Sequence, residues 1–283
     1  MHRPELKDLV ANSGNLATLS GTVVDLLLVL MEPTTCADEV ARIVERDPAM
    51  TANVLKLGNS AFYGARQEVS TVRQALVRLG NRCVATLGFA AGMAPVLRTP
   101  LKGYDLKRRV YWEHSLTTAV AASEAARLTD SHHLVCEAFT AGLIHDVGML
   151  ILDPVLRQNE VIIPASGDHA EVCRLEREHL GYDHCQAGAF LAREWGFPEL
   201  LAEPAARHDS GPGGDEPTDL VRAVAAGRHI ADALVFESET DREERLTALG
   251  FSGDLLEQVR EAMAEDLEST LIRATRPQPV GVS

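Results

Sequence analysis

Apolar residues recur along this chain at three- and four-residue spacings, and no run of alternating β-branched residues is long enough to compete, so the pattern predicts helix after helix. A first strong element covers 21–31 and stops at Pro33. A second covers 37–46, with Val40, Ile43 and Val44 on one face. The third has the plainest start: Asp47 is an N-cap, Pro48 takes the first helical position, and Met50, Val54, Leu55 and Leu57 supply the stripe. It ends at Gly58-Asn59-Ser60, where Asn59 and Ser60 suit helix-ending hydrogen bonds better than ligand contacts. Further helices are predicted over 72–79, stopped by Gly80, and over 83–97; residues 99–105 read as a linker. Beyond it the periodicity predicts helices over 106–128, 134–152, 169–180, 184–194, 198–207 and 220–238, with 210–217 a loop by composition. The expected fold is all-α, a multi-helix bundle with no internal repeat.

Composition narrows the function. With 27 Lys+Arg against 41 Asp+Glu the net charge is −14, which excludes general nucleic-acid binding, since tracking a phosphate backbone needs a basic footprint. Residues 237–268 hold eleven carboxylates and three arginines, yet Leu255, Leu256, Val259, Met263 and Leu267 keep an apolar stripe, as in a docked or partner-seeking helix. No membrane contact is expected: the apolar run 23–31 contains Asp25 and is too short to span a bilayer, and no basic leader precedes it. Five cysteines without a Cys-x-x-Cys read as free thiols, and the expected location is the cytoplasm.

Nine of the ten histidines lie between His114 and His229, so metal or proton chemistry belongs to the second half. The sharpest feature is the pair His145-Asp146 inside an apolar helix pattern. Such a couple must be hydrogen-bonded, ion-paired or metal-bound. An imidazole and a carboxylate suit Mn, Fe or Zn if other helices bring more ligands, and His114 and Asp232, both in apolar helices, are candidates. A simple buried hydrogen-bonded pair is the competing reading. Cys185, beside His184, is either a ligand or a small buried hydrophobe; Trp195 is a core anchor; His169, His179 and His229 are read as surface or capping residues.

The motifs Asp47-Pro-Ala-Met-Thr-Ala-Asn-Val-Leu55, Gly58-Asn-Ser-Ala-Phe-Tyr-Gly64, Val72-Arg-Gln-Ala-Leu-Val-Arg-Leu-Gly80, Trp112-Glu-His-Ser115, Gly142-Leu-Ile-His-Asp-Val-Gly148, Asp183-His-Cys-Gln-Ala-Gly188 and Trp195-Gly-Phe-Pro198 occur in this order, and together resemble the HDOD family, a branch of the HD-domain superfamily. The resemblance implies an N-terminal helical lobe over 1–104, an HD-like bundle over 105–238 and an acidic C-terminal helix and tail over 239–283. It implies His114, His145, Asp146 and Asp232 as metal ligands for Fe, Mn or Zn, and His184, His208 and Asp209 as a second metal or ligand site. Related HD-GYP phosphodiesterases carry a lysine where this chain has Met149, and no Gly-Tyr-Pro follows. Methionine cannot stabilise charge developing on a phosphoryl group. The resemblance therefore implies first a bacterial signalling module without turnover, acting through a protein partner or a nucleotide or cyclic-dinucleotide ligand. A metal-dependent phosphohydrolase is the alternative.

Overall fold

The computed structural model describes residues 5–12, 19–32, 36–59, 68–129, 132–165, 168–208, 216–236 and 242–264. Among them all regular structure is helical, and the one β-type pairing is a bridge between Leu101 and Leu106. The first group of helices is α1 (Leu6–Asn12), α2 (Gly21–Met31), α3 (Ala37–Glu45), α4 (Pro48–Gly58), α5 (Val72–Leu79) and α6 (Asn81–Leu97). Local chemistry sets their ends. The Ser20 side chain caps α2 by accepting from Val23 N–H, and Asp47 Oδ1 accepts from Ala49 and Met50 N–H at 2.9 and 3.0 Å to start α4. Thr71 and Gln74 form a reciprocal capping box on α5, which Gly80 ends at φ 88°, a left-handed conformation costly for other residues. Just past α4, the Asn59 side chain donates to the Val69 carbonyl and accepts from Val69 N–H, so it ties down the chain ahead of α5 rather than capping the helix it follows. Leu26, Val40, Val54, Ala75 and Phe89 are this group's buried contributions to a hydrophobic core that continues into the later helices.

The second group is α7 (Arg108–Leu128), α8 (Val135–Ile144), α9 (Gly148–Gln158), α10 (His169–Leu180), α11 (His184–Glu194), α12 (Glu199–Arg207) and α13 (Asp219–Val235), followed by α14 (Arg242–Ala248) and α15 (Asp254–Ala264). Long, alanine-rich α7 runs through its centre, packed chiefly between α8 and α13. Helix α15 buries Leu255 and Val259 and docks on α7, so this part of the acidic stretch is seated on the protein itself. The one described helical stretch apolar and long enough to cross a bilayer, Val135–Gln158, has its most apolar 18-residue window buried inside the protein.

Two expectations need correction. Residues 134–152 are two helices with a turn at 145–147, because a Cβ at Gly148 would lie 2.0 Å from the His184 carbonyl oxygen and the chain bends where α9 meets α11. The His-Asp pair therefore sits at a helix junction. Residues 99–105 are no loose linker: a short 3-10 turn, Lys102–Tyr104, buries Tyr104 and lets Gly103 N–H donate to Asp153 Oδ1 at 2.7 Å. The 210–217 loop falls largely outside the described residues, as do Asp209, Ser60 and the tail.

Candidate metal centre

The site is assembled by close helix crossings. Gly142 on α8 and Gly227 on α13 both lie against the α7 backbone near Thr118, where a Cβ would come within 2.8 and 2.6 Å of α7 atoms. One turn along α7 stands His114; three residues after Gly142 comes His145, and five after Gly227 comes Asp232. A second approach is a hairpin. Gly181, at φ 94°, ends α10, and Asp183 with Gln186 forms a capping box that starts α11. His169, Cys173 and Glu176 share one face of α10 by their i, i+4, i+7 spacing and look across at His184 and Cys185. His208 follows α12.

Asp146 is the hinge of the arrangement. Its Oδ2 lies 3.0 Å from His145 Nε2 and 3.6 Å from His114 Nδ1, while Oδ1 lies 3.5 Å from His184 Nε2 and 3.4 Å from His208 Nε2. Two ligand-capable groups result: His114, His145 and Asp146, then Asp146, His169, His184 and His208, with donor atoms within 4.8 Å of one another in each. Asp232 borders the first group through His114 Nε2 at 2.9 Å and is held by Arg228 Nη1 at 2.7 Å. Although burial opposes its charge, Arg228 and His114 keep the Asp232 carboxyl well below its ordinary range. His145, Asp146, His184 and His208 are buried.

Outer partners fix which nitrogens point inward. His145 Nδ1 faces the Gly142 carbonyl at 2.8 Å, and His208 Nδ1 faces the carbonyls of Ala205 and Pro204 at 3.1 and 3.2 Å, so in both rings Nδ1 carries the proton. His184 Nδ1 is 2.7 Å from Glu176 Oε2, and Glu176 Oε1 accepts the Tyr104 hydroxyl at 2.6 Å. Burial pushes His145 down to about 4, so at neutral pH its Nε2 is a bare lone pair facing a carboxylate oxygen. Both His145 Nε2 and Asp146 Oδ1 lack a hydrogen-bond partner. Acceptor facing acceptor in a buried nest is unfavourable unless a cation lies between them, so the donor set fits a divalent metal. Burial opposes the charge of His184 too, but Glu176, Cys173 and Asp146 together outweigh it and raise the imidazole well above its ordinary value; His169, 2.9 Å away between Nε2 atoms, is held well below by burial and by Arg228.

The structure thus brings together His114, His145, Asp146, Asp232, His184 and His208. It corrects His169, which is buried against His184 and His208 rather than a surface residue. Cys173, Glu176, Tyr104 and Arg228 were not singled out from the sequence. The spacing of His169, Cys173 and Glu176 on one helix face was the available signal. Met149 is buried at the start of α9.

Comparison with known proteins gives consistent matches. The family model for the HDOD domain matches residues 16–210. The crystal structure of "Putative phosphohydrolase from Shewanella amazonensis SB2B" is similar over 94% of this chain and 96% of that one, at 25% identity and a TM-score of 0.69. A "Putative signal transduction protein" from Marinobacter aquaeolei VT8 shares the fold at 23% identity and a TM-score of 0.68, over 95% of this chain and 64% of its own. An "Uncharacterized protein" of Treponema pallidum (strain Nichols) is 24% identical over 259 residues, covering 89% of this chain; the chain spans 49% of that curated relative's length.

Proposed function

The chain belongs to the HDOD family, and on that footing we propose that its HD-like half binds divalent cations in two adjoining pockets and hydrolyses phosphoesters of the nucleotide class in a signalling setting. One observation carries this reading: the two carboxylate oxygens of Asp146 are divided between two histidine groups, in a nest where acceptors face acceptors. Imidazole with carboxylate suits Mn, Fe or Zn. An ion bound there supplies Lewis-acid activation of water and of a phosphoryl oxygen.

The chain's own residues do the holding and orienting. Asp146 would serve both pockets; His114 and His145, bordered by Asp232, serve the first, and His169, His184 and His208 serve the second. Glu176 fixes the His184 ring, and backbone carbonyls fix His145 and His208, so that each offers Nε2 inward. Arg228 anchors Asp232 and brings a positive charge to the rim of the first pocket. The similarity to a protein named "Putative phosphohydrolase", and the fold shared with one named "Putative signal transduction protein", support the reading.

A second reading, a signalling module that holds metal or nucleotide without turnover, rests on Met149, a buried side chain with neither proton nor charge to offer a phosphate. One experiment separates the two. Reduced protein loaded with Mn or Fe should cleave a chromogenic phosphodiester or a cyclic dinucleotide, and Asp146→Ala should not. Bound metal with only background release selects the second reading. Absence of bound metal by elemental analysis sinks the proposal.

A further inference from the structure

The second pocket contains sulfur. Cys173 on α10 and Cys185 on α11 are both buried free thiols. Together with one nitrogen each of His169 and His184, their Sγ atoms form a group within 4.8 Å. Cys185 Sγ lies 3.8 Å from His184 Nε2 and 3.7 Å from His208 Nε2, and Cys173 Sγ lies 3.6 Å from His169 Nδ1 and 4.0 Å from His184 Nδ1. Bonds of about 2.3 Å to sulfur and about 2.0–2.1 Å to nitrogen put neighbouring ligands of one tetrahedral ion roughly 3.4–3.8 Å apart. Cys185 therefore stands at ligand spacing from two inward-facing imidazole nitrogens.

A cysteine acting only as a small hydrophobe has no need of such neighbours. Cys136, equally buried, is beside Arg82, Thr86 and Glu137 instead of a histidine. The contrast between the two pockets is one of donor chemistry. His114, His145 and Asp146, with Asp232 at the edge, offer nitrogen and oxygen alone, whereas the α10–α11 hairpin adds two sulfurs. Thiolate ligands favour zinc-like ions, and carboxylates accept Mn or Fe readily.

We propose that Cys173 and Cys185, with the His169 and His184 that the second pocket shares with them, hold a thiophilic divalent cation of the zinc class on the sulfur side of that pocket, in place of Asp146 and His208, beside a first pocket that takes a harder ion. This rests on the metal-binding part of the function proposed above and is independent of turnover. Each sulfur binds the ion as a thiolate, and a thiol that is protonated beforehand gives its proton to solvent.

The test uses the full chain, reduced and stripped of metal, titrated with Co2+ as a spectroscopic stand-in for zinc. Sulfur-to-cobalt charge transfer in the near ultraviolet should appear and saturate, and Zn2+ but not Mn2+ should abolish it. Cys173→Ser and Cys185→Ser should each remove roughly half of that intensity, while His145→Ala, in the first pocket, should leave it unchanged. Zn2+ should also slow alkylation of Cys173 and Cys185, mapped by mass spectrometry, with exposed Cys36 as the internal reference. Cobalt that binds without a sulfur band, or alkylation at both cysteines indifferent to zinc, overturns the proposal in the wild-type protein without recourse to any variant. A sulfur band in a protein that hydrolyses nothing supports this site and removes the hydrolytic reading; hydrolysis with Mn in a protein lacking the band does the reverse.

Discussion

In α6, a Cβ added at Gly88 would meet the tip of Leu26 at 2.7 Å and one added at Gly92 would meet a methyl of Val23 at 2.3 Å, side chains in both cases. In the helices around the histidines, a Cβ at Gly142, Gly148 or Gly227 would meet backbone atoms at 2.8, 2.0 and 2.6 Å. Buried polar groups follow the same division. Among the described residues before position 100, Thr86 is the one buried polar side chain; beyond it come His114, His145, Asp146, Glu176, His184, His208 and Arg228, among others. The first group of helices is held by side-chain interdigitation, which tolerates small changes of volume. The second is held by backbone approach, because donor atoms on separate helices reach one another only if the helices lie close. Burying them is then offset by mutual pairing and by whatever ion they share.

The two glycine classes give the largest expected difference. Gly148→Ala forces apart the α9 and α11 backbones that position His145 and His184, and should cost about 3 kcal/mol or more, to the point of preventing folding. Gly88→Ala asks only the Leu26 tip to turn aside and should cost about 1 kcal/mol. Urea midpoints measure both. Equal losses would break the comparison.

Metal linkage sharpens it next. At a Mn2+ concentration about a hundredfold above Kd, the wild-type protein should gain about 2.7 kcal/mol of stability, and Asp146→Ala should lose that increment because its carboxylate is the oxygen donor shared by His114 and His145 in the pocket for the harder ion. Leu76→Ala, in the core of the first helices, should lower stability by about 2–5 kcal/mol yet keep the metal increment intact. A Leu76→Ala protein that no longer responds to metal would mean the two regions are not separable in this way.

Glu176 connects the pockets to pH. Burial lowers the His184 pKa, but Glu176, with Cys173 and Asp146, raises it, so an entering cation must compete with a proton held more tightly than on an ordinary imidazole. Affinity should therefore rise with pH until His184 is deprotonated in the ion-free form. In Glu176→Gln the largest group opposing burial is gone, the imidazole pKa falls, and the rise should move to lower pH, with plateau affinity down about 10–100-fold from loss of the orienting carboxylate. Calorimetry in buffers of different ionisation enthalpy reads the released proton directly. Identical proton release in both proteins would remove Glu176 from this role.

Where caps and periodicity decide, the sequence was enough: the predicted spans 21–31, 72–79, 169–180 and 184–194 coincide with α2, α5, α10 and α11, each ended by a local signal such as Gly80 or Gly181. The departures have tertiary causes. The break at 145–147 comes from contact between Gly148 and the α11 backbone, and the burial of Tyr104 comes from Asp153 and Glu176, distant in sequence. His114, His145, Asp146 and Asp232 stood out because a charged group in an apolar helix demands a partner. His169 did not, since its partners depend on the Gly181 turn folding α10 back on α11. Asp209 falls outside the described residues.

The smallest effect concerns the join between the two regions. Arg82, at the start of α6, pairs with Glu137 Oε1 on α8, and Phe89 of α6 meets Phe197 edge-on at 6.0 Å. Glu137 is mostly buried and its second oxygen has no hydrogen-bond partner, so the pair is worth more than an exposed one, but Arg82 reaches solvent and is screened there. Arg82→Ala should therefore cost about 1–2 kcal/mol, most of it the penalty of leaving the Glu137 carboxylate unpaired. Arg82→Ala with Glu137→Gln should recover part of that loss, because the neutral amide is cheaper to bury. Where the loss shows is the informative part: with Phe89 and the apolar contacts of α6 still in place, one cooperative urea transition should move to lower midpoint without splitting. Two separate transitions in the Arg82→Ala protein would show that this ion pair, rather than apolar packing, couples the side-chain-packed helices to the backbone-packed ones.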